Sequence, residues 1–380
     1  MTGGSFLWPL NTIYIHDHLG KSMSVAGFVL MLYAAASVIG NLVGGILFDK
    51  ISGYRSVLLG TGITIISLSG LILWHGWPHY VFFIMTIGFG NSIIFPSMYA
   101  MAGSTWKEGG RKAFNAMYVA QNVGVAIGSA LGGFVASLSF QYIFVANLFM
   151  YIIFLFIALF GYRHIVIQST VQQPKLQQKP IRNKRNLMTL FIICTAYLLC
   201  SIGYVQWQST IATYTQELNI TLRQYSLLWT INGGLIVAGQ PFIKPLVKKF
   251  GSNLKGQVIF GIIIFIISFA VASIATGFRG MVAAMIILTF GEMFVWPAMP
   301  TIAHQLAPKG RAGFYQGIVN STATGGRMIG PFLGGIFVDL YGMSVLFTIL
   351  IGFLIVALLL SIVYDRPLKA NREKELTPFT

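Results

Sequence analysis

Hydrophobic and polar positions alternate in long blocks along this chain rather than residue by residue. Eight blocks contain no Asp, Glu, Lys or Arg, and each has the roughly 20 residues needed to cross the hydrocarbon core of a bilayer as a helix. The blocks are 22–48, 56–78, 80–106, 113–162, 186–216, 224–243, 256–278 and 340–364. Because the fourth block is long enough for two helices, the pattern predicts an all-α, polytopic membrane protein.

Charged and turn-forming residues between the blocks predict where the helices end. The predicted helices are 1–15, 22–48, 56–75, 80–104, 113–136, 141–162, 187–214, 222–247, 255–275, 280–304, 312–338 and 342–363. The first is too short to cross the hydrocarbon, so we expect it to be truncated in the sequence as given. We predict two six-helix halves, 1–162 and 187–364, joined by a basic cytoplasmic linker at 163–186 and followed by a tail at 365–380.

Charge is scarce and lies in alternate loops. Only 9% of residues are charged and 56% are hydrophobic, while the formal net charge is +16. An average soluble domain has about 25% charged residues, so a water-soluble fold is excluded. The basic residues fall on one side of the membrane except for Lys21, Arg223 and Arg279. This positive-inside bias predicts a cytoplasmic C-terminus in the cell membrane, and it accounts for the excess charge without a nucleic-acid partner.

The two halves repeat each other in sequence. The segment F-G-N at 89–91, followed by F-P-S-M at 95–98, recurs as F-G-E at 290–292, followed by W-P-A-M at 296–299. Six single positions also recur. In order, Gly4, Trp8, Gly124, Gly128, Gly132 and Gly133 of the first half correspond to Gly203, Trp207, Gly326, Gly330, Gly334 and Gly335 of the second half. Because six helices separate the copies, both halves have the same orientation, which predicts a parallel repeat about an axis along the membrane normal.

The repeat and two local motifs together resemble the major facilitator superfamily over nearly the whole chain. The segment G-I-L-F-D-K at 45–50, followed by G-Y-R at 53–55, looks like that family's signature between its second and third helices. The glycine- and proline-containing segment 326–335 is similar to a signature of twelve-helix drug:proton antiporters. The family's arginine signature in the fourth helix is absent, since 80–102 contains no arginine. The resemblance implies transport by alternating access between two six-helix halves.

Glu292 and Arg327 are the formally charged residues deep within predicted helices, and such residues are costly enough to indicate function. Each lies about 18 Å along its helix from the same membrane side, so we expect them at matching depth. A carboxylate there has a proton affinity that depends on hydration and on a nearby cation. We predict that Glu292 couples transport to protons and that Arg327 tunes it; a purely structural ion pair is the alternative.

Family resemblance assigns two further groups of residues. Asp49 and Arg55 would form a latch on the cytoplasmic side during the conformational cycle, with a simple surface anchor as the alternative. The polar and aromatic residues expected around the central cavity are Trp8, Asn11, Asn91, Tyr99, Tyr118, Gln121, Gln206, Trp207 and Trp296. Taken singly, each could equally serve helix packing. Together they suit a partly apolar or cationic solute better than a phosphorylated one.

No enzyme signature is present, neither H-E-x-x-H, nor G-x-S-x-G, nor a phosphate-binding G-x-x-x-x-G-K. We therefore expect no enzymatic activity, no cofactor and no metal site. The favoured function is a monomeric secondary transporter that exports amphiphilic or cationic drug-like solutes in exchange for protons. The main alternative is a sugar or carboxylate transporter working as uniporter or proton symporter. A membrane receptor or enzyme without transport is the alternative from another class.

Overall fold

The computed structural model describes residues 11, 14–106, 109–138, 140–163, 165, 184–250 and 253–367. We number its α-helices in chain order as α1 Met23–Lys50, α2 Gly53–Leu73, α3 His79–Thr105, α4 Arg111–Leu138, α5 Phe140–Gly161, α6 Lys184–Val205, α7 Thr210–Glu217, α8 Leu222–Ala238, α9 Gln240–Phe250, α10 Leu254–Ser273, α11 Phe278–Leu306 and α12 Ala312–Val363. A π-helical turn, Tyr14–His18, precedes α1, and a 3-10 turn, Gln206–Gln208, separates α6 from α7.

The predicted fold class is confirmed. Among the described residues there is no β-strand, and eight helical runs are long and apolar enough to cross a membrane. Four predicted helices differ in detail. The predicted helix 187–214 is interrupted at the 3-10 turn, and 222–247 is divided at Gly239. The predicted pair 312–338 and 342–363 is one run, broken at Gly342, whose φ of +78° suits glycine because it has no Cβ.

Several predicted segments lie outside the described residues. They include nearly all of the predicted first helix with Trp8, most of the linker between the halves, and the tail beyond residue 367. The truncation of the first helix and the predicted domain boundaries stay predictions.

Helix α1 begins where the Ser22 hydroxyl accepts a hydrogen bond from the Val25 amide, a common way to satisfy a free helix-end donor.

The chain divides into two compact units. Unit one comprises Met1–Pro174 with Lys309–Thr324, and unit two comprises Lys175–Pro308 with Gly325–Thr380. The first turns of α12 thus belong to unit one, and the rest of α12 belongs to unit two.

The same glycine crossing occurs in both units and shows the sequence repeat in three dimensions. In unit one, α2 and α3 cross where Gly60 faces Gly90, and a Cβ on Gly60 would lie 2.7 Å from the Gly90 carbonyl oxygen. In unit two, α10 and α11 cross where Gly261 faces Gly291, and a Cβ on Gly261 would lie 2.9 Å from the Gly291 carbonyl oxygen. Only glycine permits such close backbone contact, which is how small residues hold helices together in lipid.

Within unit one, α1 packs along the first turns of α12. The backbones meet closely at Gly45 and Gly313, where a side chain on either residue would overlap the other's carbonyl oxygen. One turn further along, a Cβ on Gly317 would lie 2.7 Å from the Asn41 carbonyl oxygen. Hydrogen bonds continue the contact, from the Asn41 amide to the Thr324 hydroxyl at 3.3 Å and from the Ser321 hydroxyl to the Val38 carbonyl at 3.0 Å.

We expect Gly45→Ala to force α1 and α12 apart and to destabilise the protein by about 1–3 kcal/mol, the usual cost of overpacking. Thermal unfolding in detergent measures this change. The matched control is Gly27→Ala in the same helix, because a Cβ at Gly27 meets no atom within 4 Å. That control should be neutral or stabilising by up to about 1 kcal/mol. Equal effects of both substitutions would contradict the close contact.

Candidate functional site

Glu292 lies inside unit two on α11, immediately after the crossing glycine Gly291. Only 1% of its surface is exposed. The amide of Asn232, on α8, donates to the Glu292 Oε1 atom at 2.9 Å and also to the Thr289 hydroxyl at 2.9 Å. The Thr289 hydroxyl in turn donates to the Met285 carbonyl of its own helix at 2.8 Å. A buried carboxylate needs such donors, because an unsatisfied charge in a low-dielectric interior is very costly.

A third helix contributes Tyr204, on α6, to the same site. Its phenol interacts with the Glu292 carboxylate and lies within electrostatic range of Arg327 and Tyr225. The Arg327 side chain itself is exposed, whereas Glu292 is buried. Glu292 and Arg327 both interact electrostatically with Tyr204. Elsewhere in unit two, an ion pair joins Lys255 to Asp365 at 2.6 Å.

Aromatic rings line the neighbourhood of Glu292. The Trp296 ring, one turn after Glu292 on α11, packs edge-on against Tyr204 at 5.4 Å and against Tyr197 at 5.3 Å between ring centroids. Tyr204 also packs against Trp229 of α8, with centroids 6.3 Å apart. These four rings are all half-buried. Aromatic ring faces attract organic cations as well as apolar groups.

Predicted cavity residues in unit one form separate pairs. The Tyr151 hydroxyl, from α5, donates to the Asn91 Oδ1 atom at 2.7 Å. The Gln121 amide, from α4, donates to the Tyr99 hydroxyl at 3.0 Å. The structure thus gives Asn91, the repeat counterpart of Glu292, one hydrogen-bond donor from a different helix.

Two other predicted cavity residues of unit one are buried. Asn11 accepts a hydrogen bond from the Tyr80 hydroxyl at 2.8 Å. Tyr118 is buried on α4, and its carbonyl oxygen accepts a hydrogen bond from the Asn122 amide at 2.9 Å.

Two predicted cavity residues of unit two take part in helix packing. The amide of Gln206 donates to the Gly330 carbonyl at 2.7 Å and to the Ile202 carbonyl at 3.1 Å, and its Oε1 atom accepts from the Thr210 hydroxyl at 2.7 Å. This side chain closes the break between α6 and α7 and ties it to α12. Trp207 is fully buried against Phe269.

Asp49 lies at the end of α1 and accepts two backbone hydrogen bonds. The amides of Gly313 and Phe314, in the first turn of α12, each donate to one of its carboxylate oxygens at 2.8 Å. A helix N-terminus favours an anion because its first amides have no partner within the helix. Arg311 lies within electrostatic range of the carboxylate. Arg55 is exposed, and its backbone amide is capped by the Ser52 hydroxyl.

The Glu292 carboxylate thus contacts neutral polar groups from two neighbouring helices, Asn232 of α8 and Tyr204 of α6. Sequence reasoning identified Glu292 and Arg327 but assigned no role to Tyr204. The sequence signal for Tyr204 is its position next to the repeated Gly203. The partners of Asp49 are backbone amides, which leave no signal in the sequence.

Comparisons with known proteins identify close and distant relatives. The chain is 55% identical, over 98% of its length and 94% of the relative's, to the MFS-type transporter YttB of Bacillus subtilis, whose function is uncharacterised. It is 25% identical to a Na⁺, Li⁺, K⁺/H⁺ antiporter of Planococcus maritimus, covering 86% and 84% of the two chains. A multidrug resistance protein, MdtG of a Rahnella strain, is 23% identical over 52% of this chain and 48% of its own.

A solved structure shares the fold. The crystal structure of a bacterial homologue of the iron transporter ferroportin, in an outward-facing state, matches 96% of each chain with a TM-score of 0.76 at 13% identity. The model of the Major Facilitator Superfamily matches this chain at residues 1–214 and again at 193–379. These matches agree with the duplicated glycine crossings and with the helical membrane spans. The chain therefore belongs to the major facilitator superfamily, a family of multi-pass membrane proteins that carry small solutes by secondary transport.

Proposed function

We propose that this chain exports amphiphilic or cationic solutes in exchange for protons, with Glu292 as the group that carries the proton. The observation that carries the proposal is the burial of this carboxylate beside Asn232 and Tyr204, with three further aromatic rings, Trp296, Tyr197 and Trp229, around Tyr204. The antiporter and multidrug-resistance names of two distant relatives support ion coupling and drug-like solutes.

Proton exchange at Glu292 fits the contacts of the carboxylate. When Glu292 is ionised, it accepts the hydrogen bond from Asn232 as a charge-assisted bond, which is about twice as strong as a neutral one. When Glu292 is protonated, that bond weakens, and the contact between α8 and α11 loosens with it. The charge state of one residue therefore changes how tightly two helices of unit two are held.

Competition between proton and solute follows from the same geometry. Tyr204 and Trp296 stand next to Glu292 and offer ring faces to a cation. A cationic solute is best held when Glu292 carries its negative charge, and proton binding removes that charge. Proton and cation then exclude each other, which is the requirement for exchange.

Asp49 and the first turn of α12 form the proposed latch on the predicted cytoplasmic side. Its two bonds to backbone amides join a helix of the first sequence half to one of the second. The role predicted for Arg55 is better suited to Arg311, which is the basic residue in electrostatic range of the carboxylate.

We expect Glu292→Gln to abolish solute accumulation driven by a pH gradient, because the amide cannot take up a proton, while solute exchange without a gradient persists. Uptake of ethidium and of glucose into proteoliposomes, with and without an imposed pH gradient, measures both. Glu217→Gln is the matched control, since Glu217 is an exposed acid of the same unit. Normal pH-driven accumulation in the Glu292 variant would refute the assignment. Glucose flux without ethidium flux would favour the metabolite transporter.

The bond between Asn232 and Glu292 should appear as an energetic coupling. Asn232→Ala leaves the carboxylate short of a donor, and we expect a destabilisation of about 1.5–3 kcal/mol. In a Glu292→Gln background the same substitution should cost less, with a coupling energy of about 0.5–3 kcal/mol in thermal unfolding. Asn122→Ala is the control, because the Asn122 amide donates to the Tyr118 carbonyl of its own helix. Strictly additive effects would count against the coupling.

Asp49→Asn should weaken the latch, because an amide carries no charge and offers one acceptor oxygen in place of two. We expect a loss of about 1–3 kcal/mol, which shifts the population of the latched state by roughly 5- to 150-fold. Labelling of a cysteine placed at Ala312 by a membrane-impermeant maleimide reports this change. Asp365→Asn, which breaks the pair with Lys255, should leave the labelling rate unchanged. If Asp49 has no latch function, the Asp49→Asn and Asp365→Asn variants should be labelled at the same rate.

A further inference from the structure

Helix α9 of unit two carries a concentration of basic charge that the transport site does not use. Its eleven residues include three lysines, Lys244, Lys248 and Lys249, and no acid. The sequence contains no acidic residue between Glu217 and Glu292. Helices α8 and α10 therefore contain no acid, and Glu292 of α11 is buried and hydrogen-bonded to Asn232. These three helices offer the lysines of α9 no exposed carboxylate.

One side of α9 is fixed by packing. Ile243 is buried, and the Phe250 ring contacts Phe260 of α10 at 5.6 Å and Phe294 of α11 at 6.0 Å between centroids. This contact sets the rotation of α9 about its axis. The positions that point away from Ile243 and Phe250 are therefore held outward.

The outward positions combine exposed apolar and basic side chains. Phe242 is 71% exposed and Leu246 is 39% exposed, and both lie on one face because they are four residues apart. Lys249, three residues after Leu246, continues this face. Lys244 and Lys248 are four residues apart and form a second pair, which lies on the other exposed side of the helix, about 160° around its axis from Phe242 and Leu246. All three lysines are exposed.

The length of chain before these residues fits a position at the polar boundary of a bilayer. Lys244 lies 22 residues after Leu222 along α8 and α9, which is at most about 33 Å at 1.5 Å per residue. The hydrocarbon core is about 30 Å thick, so the lysines reach the headgroup layer while Phe242 adjoins the acyl chains. Long basic side chains in this position extend their charged ends to the headgroups.

We infer that α9 is a binding surface for anionic phospholipid, with Lys244, Lys248 and Lys249 contacting headgroup phosphates and Phe242 and Leu246 contacting the acyl chains. The surface is basic and apolar at once, which fits a lipid better than a soluble anion. The site is separate from Glu292 and does not depend on the proposed proton exchange. On the predicted cytoplasmic side, the membrane leaflet carries the anionic lipids that such a surface attracts.

Native mass spectrometry of the full-length protein in detergent, titrated with phosphatidylglycerol or phosphatidylcholine, tests the inference. We expect wild-type protein to retain phosphatidylglycerol preferentially. Neutralising the three lysines together, with Lys244→Gln, Lys248→Gln and Lys249→Gln, should reduce that preference by about tenfold or more, since each basic residue near the surface contributes roughly fivefold. The corresponding triple Lys→Arg variant keeps the charge and should behave as wild type.

A second variant separates a built surface from diffuse charge. Lys50, Lys112 and Lys309 are exposed lysines elsewhere on the predicted cytoplasmic side, and their joint change to Gln should reduce the preference by less than about threefold. An equal loss in this variant would overturn the inference. So would retention of phosphatidylglycerol by the α9 triple Gln variant, or its displacement from wild type by millimolar inorganic phosphate. If the triple Gln variant fails to fold, the single Lys248→Gln variant should still show a several-fold loss, and a wild-type preference there would also overturn the inference.

The apolar part of the surface has its own test. Phe242→Ala with Leu246→Ala should lower retention of both lipids while keeping the preference for phosphatidylglycerol. A change of oligomeric state in this double variant, with unchanged lipid retention, would show that a second copy covers the face and would overturn the assignment to lipid.

Discussion

Helices in a bilayer gain little from hydrophobic contact with one another, because lipid chains are as apolar as leucine side chains. Close backbone contact at glycine supplies the attraction, and this constraint governs both units. The crossings at Gly60 with Gly90 and at Gly261 with Gly291 fix the depth and rotation of α3 and α11. Asn91 and Glu292 each follow a crossing glycine directly, so their side chains are placed by the packing of the preceding residue.

The same scaffold carries different chemistry in its two copies. Asn91 cannot ionise and receives one hydrogen bond, from Tyr151 of α5. Glu292 can ionise and interacts with Asn232 of α8 and Tyr204 of α6, and its donor Asn232 is shared with Thr289. The repeat thus supplies two equivalent positions, and only the one in unit two carries an ionisable side chain. The neighbouring contacts in unit two are the ones that a carboxylate requires.

Hydropathy and the repeat were sufficient to predict the helical membrane fold, because both depend on residue type and spacing alone. They also placed the boundary between two helices at 338–342, and the structure has one helical run there with its break at Gly342. The interruption at Gln206 was not predicted, since the side chain that closes it bonds to Gly330, 124 residues away. Partners such as Tyr204 for Glu292 depend on the rotation of each helix, and α6 and α11, which are apolar on most sides, give little indication of it.

The Gln206 contact has a consequence for the order in which the protein is made. The Gln206 amide donates to Gly330, which the ribosome adds 124 residues later. At a synthesis rate of roughly 5–20 residues per second, that partner is absent for about 6–25 s. During this interval the Gln206 amide can bond only locally, to the Ile202 carbonyl of α6, and its bond to α12 is not yet made. The junction of α6 and α7 is therefore completed only after α12 has been made, and until then the polar Gln206 side chain is a group that the insertion machinery would have to shield from lipid.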